Sequence, residues 1–196
     1  MKKKQVGLFF GSFNPIHVGH LIIANHLVEH SDLHELWFVV TPQNPFKEKH
    51  SLLDNYSRLE MVHRALEGYD KLRTSDIEFN LPQPNYTVNT LAYLEEKHPN
   101  IAFSLIMGED NLKSLHKWKN YEHILKNYRI FIYPRISEGK IPQEFDNHSN
   151  IIKINAPIVE LSATFIRNEI KEKRNVRPLL DAKVWQYIDQ MGFYSH

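Results

Sequence analysis

The chain has 196 residues, 42% of them hydrophobic and 24% charged, which matches the size and composition of one ordinary globular domain. Its 24 lysines and arginines nearly cancel its 23 aspartates and glutamates, and no like-charge run exceeds Lys2, Lys3 and Lys4, so nucleic acid and membrane are both disfavoured as main partners. The absence of cysteine excludes disulfides, zinc-thiolate sites and thiol nucleophiles and fits a cytoplasmic protein, and no stretch approaches the ~20 apolar residues of a membrane span.

Residues 6–10 form a short apolar run that ends at Gly11, after which Leu21, Ala24, Leu27 and Val28 recur at helical spacing; this predicts strand, tight loop and helix. The run is too short for the core of a secretory leader, and a strand is expected there instead. His26 and His30 lie one helical turn apart, with His34 further on, but no carboxylate completes a metal set, so a solvated helix face is expected. Residues 36–40, closed by Thr41 and Pro42, predict a second strand. Leu59, Val62 and Leu66 share one face of a helix over 54–66. Val88, Leu91 and Leu94 stripe a helix over about 87–97, with Thr87 as its expected N-cap, and a buried strand follows at 101–107. Strand signals recur at 129–133 and 151–154, separated by residues 134–150, which read as a surface loop around Gly139 and Pro142. Trp185, Tyr187 and Ile188 after a capping Asp181 predict a closing helix that packs on the sheet or on another subunit, which leaves a homo-oligomer open.

Apolar strands alternating with amphipathic helices call for an α/β fold, a Rossmann-like doubly wound parallel sheet with a C-terminal helical segment, over a single domain spanning residues 1–196. In such sheets ligands gather at the carboxyl ends of the strands.

The segment Gly11-Ser12-Phe13-Asn14-Pro15-Ile16-His17-Val18-Gly19-His20 sits where the first strand turns into the first helix. Free amides and the dipole of a helix start attract phosphate, Gly11 and Gly19 permit close backbone approach, and His17 and His20 can point toward one ligand. A histidine pair there suits phosphoryl or nucleotidyl transfer, in which the protein positions reactants and stabilises charge spreading over phosphate oxygens. These residues resemble the HxGH signature of the nucleotidyltransferase superfamily.

Later segments narrow the resemblance to bacterial nicotinate-nucleotide adenylyltransferases. Residues 41–47, ending in Lys47, resemble that family's proline-containing, lysine-ended loop, with Phe46 where the family commonly has histidine. Asn85-Tyr86-Thr87-Val88-Asn89-Thr90-Leu91 resembles its TYT-type stretch. Gly108-Glu109-Asp110-Asn111-Leu112, with Leu115 and Trp118, resembles its GxDxxxxLxxW stretch. Leu161-Ser162-Ala163-Thr164-Phe165-Ile166-Arg167 resembles the late SSTxIR motif, with Ala163 replacing one serine. The matches run in the family's order from Gly7 to Arg167.

The resemblance implies transfer of AMP from ATP to nicotinate mononucleotide, with magnesium, giving deamido-NAD and pyrophosphate. It implies catalytic roles for His17, His20, Lys47 and Arg167. ATP would be held by Gly11, Ser12, Phe13, Gly19, Gly108, Asp110, Ser162 and Thr164. Asn14, Tyr86, Thr87 and Trp118 would hold the nicotinate nucleotide, with Trp118 stacked on the pyridine ring; the metal ligands stay unassigned. Nicotinamide mononucleotide or phosphopantetheine as acceptor, and a catalytically silent nucleotide-binding module, remain the alternatives.

Overall fold

The computed structural model describes residues 3–42, 52–136 and 140–195. Six strands form one parallel sheet: β1 (Lys4–Gly11), β2 (Glu35–Val40), β3 (Leu72–Ser75), β4 (Ile101–Gly108), β5 (Arg129–Tyr133) and β6 (Ile151–Lys153), in the order β3-β2-β1-β4-β5-β6. The helices are α1 (Val18–His30), α2 (Asn55–Ala65), α3 (Thr87–Lys97), α4 (Glu109–Lys113), α5 (Tyr121–Asn127), α6 (Gln143–Asp146), α7 (Ala163–Lys171) and α8 (Ala182–Met191).

Consecutive strand residues point to opposite faces, so a sheet covered on both sides needs apolar side chains at nearly every position. Phe9, Phe38, Ile106, Phe131 and Tyr133 pack on one face with α1, α2, α7 and α8. Leu8, Val39, Leu105, Met107, Ile130 and Ile132 pack on the other, against Leu91 and Leu94 of α3, Leu112, Ile124 and Phe145. The chain winds outward from β1 through β2 to β3, then returns to β4 on the far side of β1. In register Phe9 pairs with Ile106, so Gly11 and Gly108 leave the sheet side by side at this switch point.

Three local readings are corrected. β3 is a strand that the sequence pattern does not announce: Leu-Arg-Thr-Ser lies at the sheet edge, where short, polar strands are the rule. The stretch read as a surface loop over 134–150 contains α6, whose Phe145 is fully buried edge-on to Tyr121, and one apolar residue in a four-residue helix leaves no periodicity to detect. The cap of α3 is Tyr86, in extended conformation, and Thr87 is already helical. The closing helix lies against α2: Val184 and Ile188 of α8 are in the core, and Arg64 of α2 lies 4.6 Å over the Tyr187 ring. Among the described residues no helix is long and apolar enough to cross a membrane.

Candidate active site

The loop after β1 is shaped by aromatic packing. Phe13 adopts a left-handed φ of 45° and turns its ring into the core, edge-on to Phe9 at 5.9 Å and against Phe38 at 5.3 Å. A Cβ on Gly11 would meet that ring at 2.8 Å, so the glycine makes room for Phe13. Phe13 as a whole is 2% exposed, so its ring belongs to the core and is withheld from a ligand.

His17 is the N-cap of α1, with extended backbone, and His20 stands at the third helical position. Their rings stack at 3.7 Å with planes 26° apart. The His17 amide donates to His20 Nδ1 at 3.3 Å, which places the His20 ring proton on Nε2. His20 is further held edge-on to Phe9 at 5.8 Å and Phe13 at 5.2 Å. Behind the pair, a Cβ on Gly19 would lie 3.1 Å from both His17 Nδ1 and Val159, a fit that only glycine makes without displacement.

Burial, and secondly the Arg135 guanidinium, push the His17 imidazole down to about 4, so the ring is neutral at pH 7. Below pH ~6.5 the unfolded chain binds a proton at this position that the native protein refuses until about pH 4, so stability falls as pH drops through that window and is fully present above it. The full excursion is on the order of 3 kcal/mol. Urea melts at pH 7 and pH 4.5 should show this loss in the wild type and a smaller one in His17→Asn; equal losses would reject the assignment to His17.

The loop is braced from below by Arg58 of α2, a fully buried arginine. Its guanidinium donates to the carbonyls of Ser12 at 2.7 Å, Thr41 at 2.8 Å, Leu53 at 2.9 Å and Pro42 at 3.1 Å, and to Asn55 Oδ1 at 2.7 Å. One side chain thus ties the loop after β1 to the loop after β2 and to the start of α2.

Across the switch point, Gly108 caps α4, and a Cβ there would collide with Asp110 and lie 3.0 Å from Arg135 Cδ. Asp110 is exposed and pairs with Arg135 at 3.8 Å. Arg135 also donates to the Leu161 carbonyl at 3.4 Å. Ser162 caps α7, its hydroxyl accepting from the Phe165 amide at 3.1 Å. From that helix Arg167 reaches back to the Asn14 carbonyl at 2.9 Å and to Thr164 Oγ1 at 3.3 Å. A cavity of about 330 Å³ lies here, lined by Asp110, Arg135, Leu161, Ser162 and Phe165. A larger one of about 490 Å³, between Glu60, Thr74 and Tyr187, contains none of the expected site residues.

The third group gathers at the start of α3, which runs back toward β4 and so begins at the carboxyl edge of the sheet. Lys119 Nζ lies 4.4 Å over the Tyr86 ring, which joins the Tyr86-Thr87 stretch to the Trp118 stretch. Trp118 is half-buried against the core. Beneath them Glu78, 2% exposed, accepts from Thr90 Oγ1 at 2.8 Å, while Asn85 Nδ2 donates to the Glu78 carbonyl at 3.1 Å. Burial pushes the Glu78 carboxyl up, opposed by hydrogen bonds from Thr90 and Thr41.

The structure therefore brings His17, His20, Asn14 and Arg167 into one set, Gly108, Asp110, Ser162 and Thr164 beside it, and Tyr86, Thr87 and Trp118 into a third group at the same sheet edge. Lys47 lies outside the described residues. Arg135, Lys119 and Glu78 were not among the expected residues, since only spatial contacts distinguish them from ordinary charged positions. Among the described residues no group of three or more histidine, aspartate or glutamate side chains stands ready for a metal ion, and the His26–His30 rings, 4.5 Å apart, complete none.

The cytidylyltransferase-like family model matches residues 8–169. A chain of Christiangramia forsetii named probable nicotinate-nucleotide adenylyltransferase is 65% identical over 192 residues, 98% of this chain and 99% of the relative. A chain of the same name from Flavobacterium psychrophilum is 63% identical over 191 residues, covering 97% and 99%. The nicotinic acid mononucleotide adenylyltransferase of Plasmodium falciparum, solved in complex with NaAD, superposes with a TM-score of 0.81 over 97% of both chains at 19% identity, a likeness of fold. The sheet order, the histidine pair at its switch point and these full-length relatives together establish that the chain belongs to the cytidylyltransferase-like family, among the nicotinate-nucleotide adenylyltransferases.

Proposed function

We propose that this chain transfers AMP from ATP to nicotinate mononucleotide, releasing pyrophosphate and forming deamido-NAD. The observation that carries the reading is the stacked His17–His20 pair at the start of α1, at the switch point of the sheet, with Arg167 bound to the Asn14 carbonyl of the same loop. Relatives 63–65% identical over nearly the whole chain are named probable nicotinate-nucleotide adenylyltransferases.

A phosphate oxygen of the mononucleotide attacks the α phosphorus of ATP, a new P–O bond forms, and the bond to the bridging oxygen breaks with pyrophosphate leaving. No covalent enzyme intermediate is needed, so catalysis rests on positioning and on donors aimed at the developing charge. His20, with its proton on Nε2, and His17 supply such donors. The negative phosphates oppose the burial and the Arg135 charge that hold the His17 imidazole below its ordinary value. Arg167 uses part of its fork on Asn14 and Thr164 and offers the rest to phosphate, opposite the histidines. The start of α7 at Ser162 adds backbone amides to this cradle.

Magnesium fits as an ion carried on the nucleotide phosphates rather than one caged by protein, because it keeps several waters and needs only one or two carboxylates; Asp110 is the side chain placed to assist. When bound it neutralises phosphate charge. Thr87 and the uncapped start of α3 favour the negative carboxylate of nicotinate over a neutral carboxamide. The same reading treats residues 1–196 as one nucleotidyltransferase domain working in the cytoplasm.

Trp118 is assigned to the pyridine ring. Trp118→Ala should weaken acceptor binding by about tenfold or more, the worth of an aromatic stack, while ATP binding changes little. Calorimetry with each ligand separately measures both, and a larger loss for ATP would overturn the placement.

The direct test supplies purified protein with ATP and magnesium and one acceptor at a time: nicotinate mononucleotide, nicotinamide mononucleotide or phosphopantetheine. Pyrophosphate release and product mass are followed together. Deamido-NAD from the first acceptor is the expected product. Product from another acceptor alone keeps the nucleotide site and discards the substrate, and nucleotide binding without any product discards the enzyme.

A further inference from the structure

The far end of the chain returns to the loop that carries the histidines. After α8 the backbone turns through Gly192 at a left-handed φ of 65°, and the Phe193 amide donates to the Ile188 carbonyl at 3.1 Å, closing the helix end. Phe193 packs edge-on to Tyr187 at 5.5 Å and against Tyr194 at 6.2 Å. Tyr194 is itself left-handed, φ 64°, a conformation that a non-glycine residue holds only where its surroundings compensate the cost. Its hydroxyl donates to Asn14 Oδ1 at 2.7 Å, across 180 residues of sequence.

Asn14 is 3% exposed and receives donors from three distant parts of the chain. The Tyr194 hydroxyl and the Leu53 amide, the latter at 3.3 Å, share its side-chain oxygen, and Arg167 takes its carbonyl. On one side of Asn14 stands Phe13, also in the left-handed region, and three residues on the other side is His17. The tyrosine bond therefore runs from one left-handed residue, Tyr194, to the immediate neighbour of another, Phe13, in the histidine loop. Nothing in the transfer chemistry calls for a phenol, and burial pushes this one far up, so it stays a donor at any working pH.

We propose that Tyr194 is a positioning residue: through Asn14 its hydroxyl fixes the loop in the shape that stacks His17 on His20 and meets Arg167. The catalytic part of this statement rests on the adenylyltransferase reading; the conformational part does not.

The experiment compares the wild type with Tyr194→Phe, which removes only the hydroxyl, and Asn14→Ala alone and combined with it. Tyr194→Phe is expected to lower kcat by about tenfold with KM for ATP within about twofold and the thermal midpoint within a few degrees, the pattern of lost transition-state alignment. The double variant should be no slower than Asn14→Ala, because both changes cut one path. Independently of any substrate, the NMR titration of the His17 imidazole, which faces Arg135 and His20, should move up toward the ordinary histidine range as the loop loosens and admits water. If the wild type makes no dinucleotide, the adenylyltransferase reading fails and this titration alone decides. Unchanged kcat in the folded fraction, whatever the midpoint does, overturns the catalytic part; an unchanged His17 titration overturns the conformational part.

Discussion

Replacing His17 or His20 by alanine should lower kcat at least ~10²-fold, a loss of about 2.7 kcal/mol of transition-state stabilisation, as for removal of one donor from a preorganised anion site. The two rings are not independent. They stack at 3.7 Å, so removing either ring takes away the face on which the other packs, although the His17 amide that holds His20 Nδ1 survives His17→Ala. The double variant should therefore fall well short of the product of the two single losses. KM for ATP should change far less than kcat, because the donors act on charge that develops only as the bond to pyrophosphate lengthens. His20→Ala should also loosen the packing of Phe9 and Phe13, whose edges meet its ring, so its thermal midpoint is the one to check before reading the rate. Steady-state rates with both substrates saturating decide the matter: near-normal turnover in both variants would falsify the assignment of the pair.

The second large effect concerns stability. Arg58→Met should remove five hydrogen bonds at once and leave four backbone carbonyls and Asn55 Oδ1 with a lost donor in a buried setting. Each unsatisfied buried acceptor costs roughly 1–3 kcal/mol, partly relieved by water and relaxation, so a net loss on the order of 4 kcal/mol is expected. That is a large share of the ~5–15 kcal/mol that holds an ordinary domain together, and in a chain of this length it corresponds to a fall of about 10–15 °C in Tm. Arg58→Lys should recover only a minor part, because an ammonium group presents three clustered donors where the acceptors are spread around a planar fork. A thermal melt within about 2 °C of wild type for the methionine variant would show that the brace is dispensable.

The central strands were legible because they are buried on both faces: the consecutive apolar residues of β1, β2, β4 and β5 have no other use in a protein of this size. β3 was not, because an edge strand of Leu, Arg, Thr and Ser has no apolar pattern to show. The places of the histidines, Ser162 and Gly108 at helix starts were legible because the sequence marks where those helices begin. What escaped is everything whose meaning lies in a distant partner. Arg58 is a buried hub, Arg135 faces Asp110 and His17, Lys119 covers Tyr86, and Tyr194 meets Asn14, each across intervals that helical or strand periodicity does not span. Phe13 sits inside the motif, yet its ring belongs to the core, a distinction that burial alone reveals.

The order β3-β2-β1-β4-β5-β6 has a consequence for synthesis of the protein. A growing chain can pair β1 with β2 early, but the other edge of β1 stays open until residues 101–108 have been made, and such unpaired edges invite association with other chains. The histidine loop is then still without its opposite wall, since Arg167 is translated 153 residues after Asn14 and Tyr194 later again. A ribosome-bound fragment ending before α7 already holds all six strands but lacks Arg167 and Tyr194, so under the adenylyltransferase reading it should complete its sheet and still gain little from the ATP around it.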